Sequence, residues 1–578
     1  TTRYLGSYSL DIKLPVDGLK FRSNLGIDAR TVQDYEFRSA ETSNRGMGTS
    51  YARNAVDKYT MFTLENMLFY DKTFNDKHTL GVTLLQSIQE DKKESVNVAM
   101  ENLPADNLKY YDLGSGLVTN TIGSSMIKWN MASFMGRINY NYLGRYLLTV
   151  SARYDGSSRL ADGHKWVLFP SAALAWRINE ESFMANTSGW LDNLKLRLGF
   201  GKTGNSAVDP YQTKGTLSLI RYPFDNGGTP TIGYAPNAMA NSLLTWETTD
   251  QWNLGIDFGV LRGRINGTID LYMQNTHDLL LKRQLPVVSG FPDVLSNVGK
   301  TRNKGIEVSI NSMNINTKDF QWTTDLMLSS NKEEIVELYN GKNDDIGSKW
   351  FIGQPVNVHY DYHKVGIWQN TEADLAEMAK FAANGTDFAP GDIKIEDVNN
   401  DYKITDADKQ ILGNPRPKLI ASMVNTFNYK GFDLSVFLYA SFGAMLYNDI
   451  YAVEHCGRNG GVKVDYWTPN NPTNAYPRPS IDEERPIYIT STYYEKADFL
   501  RVKTMTMGYT LPKSLTQKFM VEKLRVYFTA QNPFIFTNYT GIDPEAAKVN
   551  AAGNPETNGS GFGTPSISSW IFGINLTL

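Results

Sequence analysis

Along most of the chain, apolar and polar residues alternate with period two, in segments of about the 9–11 residues that a tilted membrane-crossing strand needs. In one segment Tyr146, Leu148, Val150, Ala152 and Tyr154 share a face, while Arg145, Thr149, Ser151 and Arg153 share the other, interrupted only by Leu147. The same contrast separates Trp252, Leu254, Ile256, Phe258 and Val260 from Asn253, Gly255, Asp257 and Gly259, and Ile265, Ile269, Leu271 and Met273 from Arg264, Asn266, Thr268 and Asp270. It returns in Phe432, Leu434, Val436, Leu438, Ala440 and Phe442, in Leu524, Val526, Phe528 and Ala530, and in Trp570, Phe572, Ile574, Leu576 and Leu578. Roughly 18 to 20 such segments occur, a large number even for a membrane barrel. Any half-buried sheet alternates, so a large soluble all-β protein such as a propeller gives the same period. Several apolar rows, however, begin or end in Tyr, Trp or Phe, as expected where rings anchor at the two interfaces of a membrane barrel; a soluble sandwich has no such requirement.

The segments are joined by connections of two kinds. Short turns such as Tyr142-Leu143-Gly144 and Tyr429-Lys430-Gly431 alternate with long excursions, notably 332–418 and 444–498. Membrane barrels place short turns on the periplasmic side and long loops outside. Within the first excursion, 370–384 reads as a short helix with Thr371 as N-cap and Asp374 at the capping-box position. The expected fold is therefore all-β, one large antiparallel transmembrane barrel over 1–578 with long extracellular loops.

Composition narrows the choice. At 578 residues the chain exceeds what one soluble core usually supports. A net charge of −4 offers no nucleic-acid-binding face. The single cysteine, Cys456, excludes an internal disulfide framework and paired-cysteine zinc sites. No stretch reaches the roughly 18 apolar residues of a spanning helix, so any membrane crossing falls to strands. The opening Thr1-Thr2-Arg3-Tyr4 is neither a signal peptide nor a plausible mature N-terminus, which leads us to expect a chain truncated at its front.

Ordered motif blocks add a resemblance. Lys77-His78-Thr79-Leu80, Arg153-Tyr154-Asp155-Gly156-Ser157-Ser158-Arg159, Phe169-Pro170-Ser171, Ala175-Trp176-Arg177-Ile178, Leu194-Lys195-Leu196-Arg197, Thr203-Gly204-Asn205 and Asn303-Lys304-Gly305-Ile306-Glu307-Val308 lie in the first part. Pro390-Gly391-Asp392-Ile393-Lys394, Asp397-Val398-Asn399, Tyr429-Lys430-Gly431-Phe432-Asp433-Leu434-Ser435, Leu500-Arg501-Val502-Lys503, Gly508-Tyr509-Thr510-Leu511-Pro512, Leu524-Arg525-Val526-Tyr527 and Gly541-Ile542-Asp543-Pro544-Glu545 follow. Taken together they resemble the SusC/RagA family of TonB-dependent outer-membrane transporters over nearly the whole chain. The resemblance implies a barrel of 22 strands, an N-terminal plug, a segment contacting TonB–ExbB–ExbD, and a SusD-like lipoprotein lid, with transporter–lipoprotein pairs able to dimerise. It implies the lipid and lipopolysaccharide surroundings of a Gram-negative, Bacteroidetes-type outer membrane. The implied cargo is an oligosaccharide, from starch or another glycan; peptides and a passive porin-like channel are the alternatives. The plug and TonB-contacting segment have no counterpart in the sequence. Its last residue is Leu578, where outer-membrane barrels commonly carry Phe.

Two groups of residues carry candidate chemistry. Asp397, Asn399 and Asp401 stand at positions one, three and five of an EF-hand-type loop, the Lys403 carbonyl at seven, Thr405 at nine and Asp408 at twelve, all oxygen ligands suited to Ca²⁺. Tyr402 departs from the pattern, because position six normally takes Gly for its sharp turn. The same residues also suit a metal-free acidic turn closed by Asx hydrogen bonds. The second group is aromatic: Trp350, Phe351, Tyr360, Tyr362 and Trp368 in one long loop, and Tyr466, Trp467, Tyr488, Tyr493 and Tyr494 in the other. Sugar rings stack on such faces while Asn, Asp and Arg bind their hydroxyls, and packing of the loops themselves is the competing use. His359 and His363 are expected in one strand, on one face, without a third metal ligand. No acid–base pair, nucleophile elbow or phosphate loop argues for an enzyme.

Overall fold

The computed structural model describes residues 1–43, 45–46, 48–223, 231–448, 463–479, 486–545 and 566–578; Cys456 lies outside the described residues. The strands in chain order are β1 (Thr2–Lys13), β2 (Leu19–Arg38), β3 (Tyr51–Phe74), β4 (His78–Glu101), β5 (Val118–Tyr142), β6 (Tyr146–Ser157), β7 (Trp166–Arg177) and β8 (Leu191–Asn205). Next come β9 (Thr216–Tyr222), β10 (Thr231–Ala238), β11 (Glu247–Val260), β12 (Ile265–His277), β13 (Leu280–Gln284), β14 (Asp293–Asn297), β15 (Lys300–Asn316) and β16 (Phe320–Glu337). The first long loop holds β17 (His359–Tyr362), β18 (Lys364–Ile367), the helix α1 (Glu372–Ala383), β19 (Ile393–Ile395) and β20 (Lys409–Gly413). The rest are β21 (Leu419–Tyr429), β22 (Phe432–Phe442), β23 (Met445–Tyr447), β24 (Tyr494–Lys496), β25 (Phe499–Thr510), β26 (Lys523–Thr537) and β27 (Ser569–Thr577). Among the described residues 17 strands belong to one large sheet. Short strand pairs within the loops make up the remainder.

The chain divides into two compact units. The first comprises Thr1–Glu181, Leu196–Asn253 and Gln274–Lys300. There β1 to β7 pair antiparallel, each with the next in sequence. β3 and β4 have 24 residues each, about 80 Å of extended chain and well beyond a bilayer's thickness. The second unit comprises Ser182–Lys195, Leu254–Met273 and Thr301–Leu578. In it β16, β21, β22, β25, β26 and β27 form a second run of antiparallel neighbours. The β21–β22 connection shows why its turn is so short. Lys430 and Gly431 have φ of +46° and +90°, the paired positive angles of a type I′ turn, whose twist matches that of the strands it joins.

Which face is covered decides between the two readings of the alternation. On β6 the apolar row is the exposed one, with Tyr146, Leu148, Val150 and Tyr154 at 40 to 45 % exposure, while Asp155 in the polar row is buried. The second unit repeats this on β27, where Trp570, Phe572 and Ile574 are 57 to 80 % exposed. A soluble sheet does the reverse, since leaving such rows in water forfeits about 25 cal/mol per Å² of apolar surface. The polar face is knitted together instead. Arg153 bonds Asp155 at 2.7 Å and Ser133 at 2.9 Å, Ser151 bonds Ser171 at 2.6 Å, and Arg525 bonds Asp433 at 2.8 Å.

Rings mark both ends of the apolar band in the first unit. Tyr142, Tyr146 and Trp176 stack in a row at the short-turn end, with centroids 6.3 and 6.4 Å apart. Tyr154 and Trp166 stack at 4.9 Å toward the other end. Trp166 and Trp176 are ten residues apart on β7, about 33 Å of strand, or about 25 Å after the usual tilt, which is the height of a membrane barrel's apolar band.

Candidate functional site

The long loops of the second unit fold into a small body of their own. β17 pairs with β20 and β18 with β19. The expected helix forms as α1, with Thr371 Oγ1 accepting the Asp374 N–H at 3.2 Å. Asp374 reaches back past the cap residue to accept the Gln369 N–H at 3.1 Å.

Apolar packing claims several of the rings picked out from the sequence. Trp467 and Tyr493 join Ile367, Ile393, Ile395 and Ile489 in one buried cluster, and Trp368 joins Met378 and Phe381 in another. Trp368 is fully covered, and Lys394 lies over its ring at 4.0 Å, held there by Asp374 at 3.1 Å and Glu377 at 2.6 Å. The Trp467 indole N–H donates to Gln369 Oε1 at 2.9 Å. Phe351 is also buried, against Tyr360 at 4.8 Å. These four rings hold the loops together. Trp350, Tyr360, Tyr362, Tyr488 and Tyr494 are half-buried, and Tyr466 is exposed.

Tyr362 and Tyr488 meet edge to face at 5.0 Å, and Phe388 lies 6.4 Å from Tyr488. Burial, then the neighbouring Asp406 carboxylate, pushes the Tyr362 phenol up to about 12. Burial, then Asp361, raises that of Tyr494 further. Both therefore stay neutral at any physiological pH, with their protons committed within the loops: Tyr362 donates to Asp406 at 3.3 Å and Tyr494 to Asp361 at 3.0 Å. A cavity of about 70 Å³ lies beside Tyr488, walled by Phe388, Asp387, Asp392 and Arg478. At this volume it has room for a few waters or one polar group of a ligand, and its wall combines rings, carboxylates and a guanidinium.

The Pro-Gly-Asp block explains part of that wall. Gly391 sits at φ +94°, and a Cβ there would come within 2.5 Å of the Trp467 ring. Asp392 accepts the Ala389 N–H at 2.8 Å with one oxygen and Arg478 Nε at 2.8 Å with the other. Neither role is visible from residue types alone.

In the acidic loop Asp397 accepts the Tyr402 N–H at 2.8 Å, Asn399 and Asp401 accept the N–H groups two residues on, and Asp408 accepts those of Val398 at 3.0 Å and Thr405 at 2.8 Å. Tyr402 takes the positive φ of position six, +58°, without being glycine. Its ring packs against Phe381 at 5.6 Å, offsetting the backbone cost. Among the described residues no three His, Cys, Asp or Glu side chains converge as a metal cluster. The candidate set here also draws on Asn399, Thr405 and the Lys403 carbonyl.

The two histidines do not share a face. β17 ends at Tyr362, so His363 falls outside it. His359 is buried, with Nε2 at 2.8 Å from the Met445 carbonyl, whereas exposed His363 pairs with Glu396 at 2.7 Å. Two other sequence blocks, by contrast, are brought together. Buried Arg501 bonds buried Asp543 at 2.5 Å and lies 2.9 Å from Glu545, which also pairs with Lys503. The Leu-Arg-Val-Lys and Gly-Ile-Asp-Pro-Glu motifs are thus two halves of one clasp, and 42 residues of separation hid it.

An antiparallel sheet with its apolar face outward and rings at the band's edges is the arrangement of an outer-membrane β-barrel. The chain belongs to the TonB-dependent receptor-like β-barrel family, whose model matches residues 1–532, and within it to the SusC/RagA type. It is 32 % identical over 581 residues to TonB-dependent receptor P3 of Formosa agariphila, covering 97 % of this chain and 56 % of that protein. It is 34 % identical over 432 residues to TonB-dependent receptor SusC of Bacteroides thetaiotaomicron, covering 72 % of this chain and 41 % of that one. The chain thus spans about half the length of the curated relatives it matches. The solved RagAB peptide transporter superposes with a TM-score of 0.82 at 22 % identity, over 99 % of this chain and 62 % of that one. The protein resides in the outer membrane.

Proposed function

We propose that this chain is the membrane barrel of a TonB-dependent importer that takes up oligosaccharides. A plug pulled through TonB–ExbB–ExbD opens the path, and a SusD-like lipoprotein closes the outer mouth over the cargo. Family membership supports the energised mechanism. The observation that carries the cargo class is the group formed by Tyr362, Tyr488 and Phe388 beside Asp392 and Arg478. Ring faces stack on the C–H surface of a sugar while the charged groups bind its hydroxyls. Exposed Tyr466 and half-buried Trp350, Tyr360 and Tyr494 are further candidate stacking rings of the same two loops. Ca²⁺ held by Asp397, Asn399, Asp401, the Lys403 carbonyl, Thr405 and Asp408 belongs to the same proposal, as a brace for the loop body and without a catalytic part.

Peptides are the second reading, because the RagAB protein of similar fold is a peptide transporter. Calorimetric titration of the complete transporter with a panel of glycan oligosaccharides and of peptides separates the two. The expected result is oligosaccharide binding that weakens about tenfold in Tyr488→Ala, a loss in keeping with one stacking face. Binding of peptides alone would replace the first reading by the second.

A further inference from the structure

β6 stops at Ser157 while β5 runs on, and loops close the strand edge that is left. The Ser158 N–H donates to the Asn130 carbonyl at 2.9 Å, Ser158 Oγ accepts the Asn130 N–H at 2.8 Å, and the Tyr211 hydroxyl accepts the Lys128 N–H at 3.2 Å. Between β5 and these loops lies a cavity of about 450 Å³, a size usual for small-ligand sites, with all of its lining in the first unit. Its strand residues stand beyond Phe134, whose ring lies 6.3 Å from that of Trp166 in the outer girdle, so the cavity is outside the apolar band.

One wall is rigid, because Leu160 belongs to a buried cluster with Phe169, Val208, Leu244 and Trp246. Trp129 from the strand and Tyr211 from the loop supply rings. Asn130, Lys214 and Ser242 supply side-chain donors and acceptors that make no hydrogen bond among the described residues. Both rings are held at a cost. The Arg159 guanidinium lies over the Trp129 ring at 4.0 Å, which leaves its Nε buried without a hydrogen-bond partner. Tyr211 has φ +72°, a conformation that glycine adopts without strain. Its ring is 47 % exposed, so no core contact accounts for a tyrosine there, and its bond to Lys128 uses only the hydroxyl.

This lining matches a sugar: C–H faces stack on rings while hydroxyl groups meet the uncommitted polar side chains. Its charges are largely paired, Lys128 with Glu90 at 2.9 Å and Lys165 with Asp162 at 2.5 Å, which favours a neutral saccharide over an anionic one. We propose that the cavity is a second saccharide-binding site, taking a neutral oligosaccharide chain outside the membrane band and separate from the Tyr362–Tyr488 group. The site does not rest on the cargo reading, and it would stand if the barrel carried peptides.

Hydrogen-exchange mass spectrometry of the complete transporter in detergent tests it, with maltohexaose, cellohexaose, xylohexaose and mannohexaose as probes. At least one should slow exchange in both 126–130 and 210–214. The concentration giving half of that protection should rise about tenfold in Tyr211→Gly, which suits the backbone and removes the ring, and change less than about twofold in Tyr211→Phe. Heat-modifiable migration confirms that each variant is folded. No protection of the two segments by any of the four sugars, or an unchanged half-point in Tyr211→Gly, would overturn the site. An equal rise in Tyr211→Phe would overturn stacking in favour of the hydroxyl's cap on β5, and protection that disappears in Tyr488→Ala would assign it to the cargo group instead. Protection confined to 386–393 and 486–488 would sink this site and leave the cargo reading standing, whereas protection confined to 126–130 and 210–214 would do the reverse.

Discussion

Arg501 illustrates what single residues contribute. Its guanidinium and the Asp543 carboxylate are both almost wholly buried, so removing one partner strands the other charge out of water. Arg501→Ala should cost about 3–5 kcal/mol, whereas Lys503→Ala, in a half-exposed pair, should cost about 1 kcal/mol or less. Urea denaturation of barrels refolded in lipid vesicles measures both, and equal losses would refute the clasp. Asp408 poses a different question, because its two oxygens already satisfy the Val398 and Thr405 N–H groups. If Ca²⁺ braces the loop, adding it should raise the loop's protection from proteolysis, and Asp397→Asn with Asp401→Asn should abolish the gain; protection indifferent to calcium favours the metal-free turn. The ring residues show where sequence reading stops at this scale. Trp368 and Tyr466 are both aromatics in a long loop, yet one is core and the other exposed, because burial depends on partners such as Phe381 and Lys394 that lie elsewhere in the chain.

At the scale of elements, strands were readable because their period is two and their apolar rows are long. α1 was readable because its cap and periodicity are local. The direction of each face was not, since alternation is the same whether lipid or a protein core covers the apolar side; only the terminal rings pointed outward, and exposure of Val150 and its neighbours settles it. The faces then predict an asymmetry between adjacent positions. Val150→Lys should cost about 2–4 kcal/mol near the bilayer midplane. Ser151→Lys, one residue on, faces the polar side beside Ser171 and should be tolerated far better. Heat-modifiable migration of folded barrels reads the difference, and similar losses at both positions would contradict the assigned faces. The short strands of the loops were harder to read, as β17 shows. It ends at Tyr362, one residue before His363, and that single residue undoes the expected shared face of the two histidines.

For the whole molecule, the family was legible because its motif blocks occur in order, although their reasons appear only in three dimensions. Gly391 is required by a positive φ and the Trp467 ring, and Arg501 by Asp543 from another block. The cargo was not legible, since Tyr362, Phe388, Arg478 and Tyr488, the groups proposed to meet it, come from separate parts of the loops. The central claim is energised import of an oligosaccharide, and its most direct test is uptake by cells carrying the complete transporter and its lipoprotein. A fluorescent oligosaccharide that the transporter binds should accumulate in the periplasm, stop accumulating when TonB is deleted, and accumulate more slowly in Tyr488→Ala. Accumulation that persists unchanged without TonB would contradict the account and point to a passive channel.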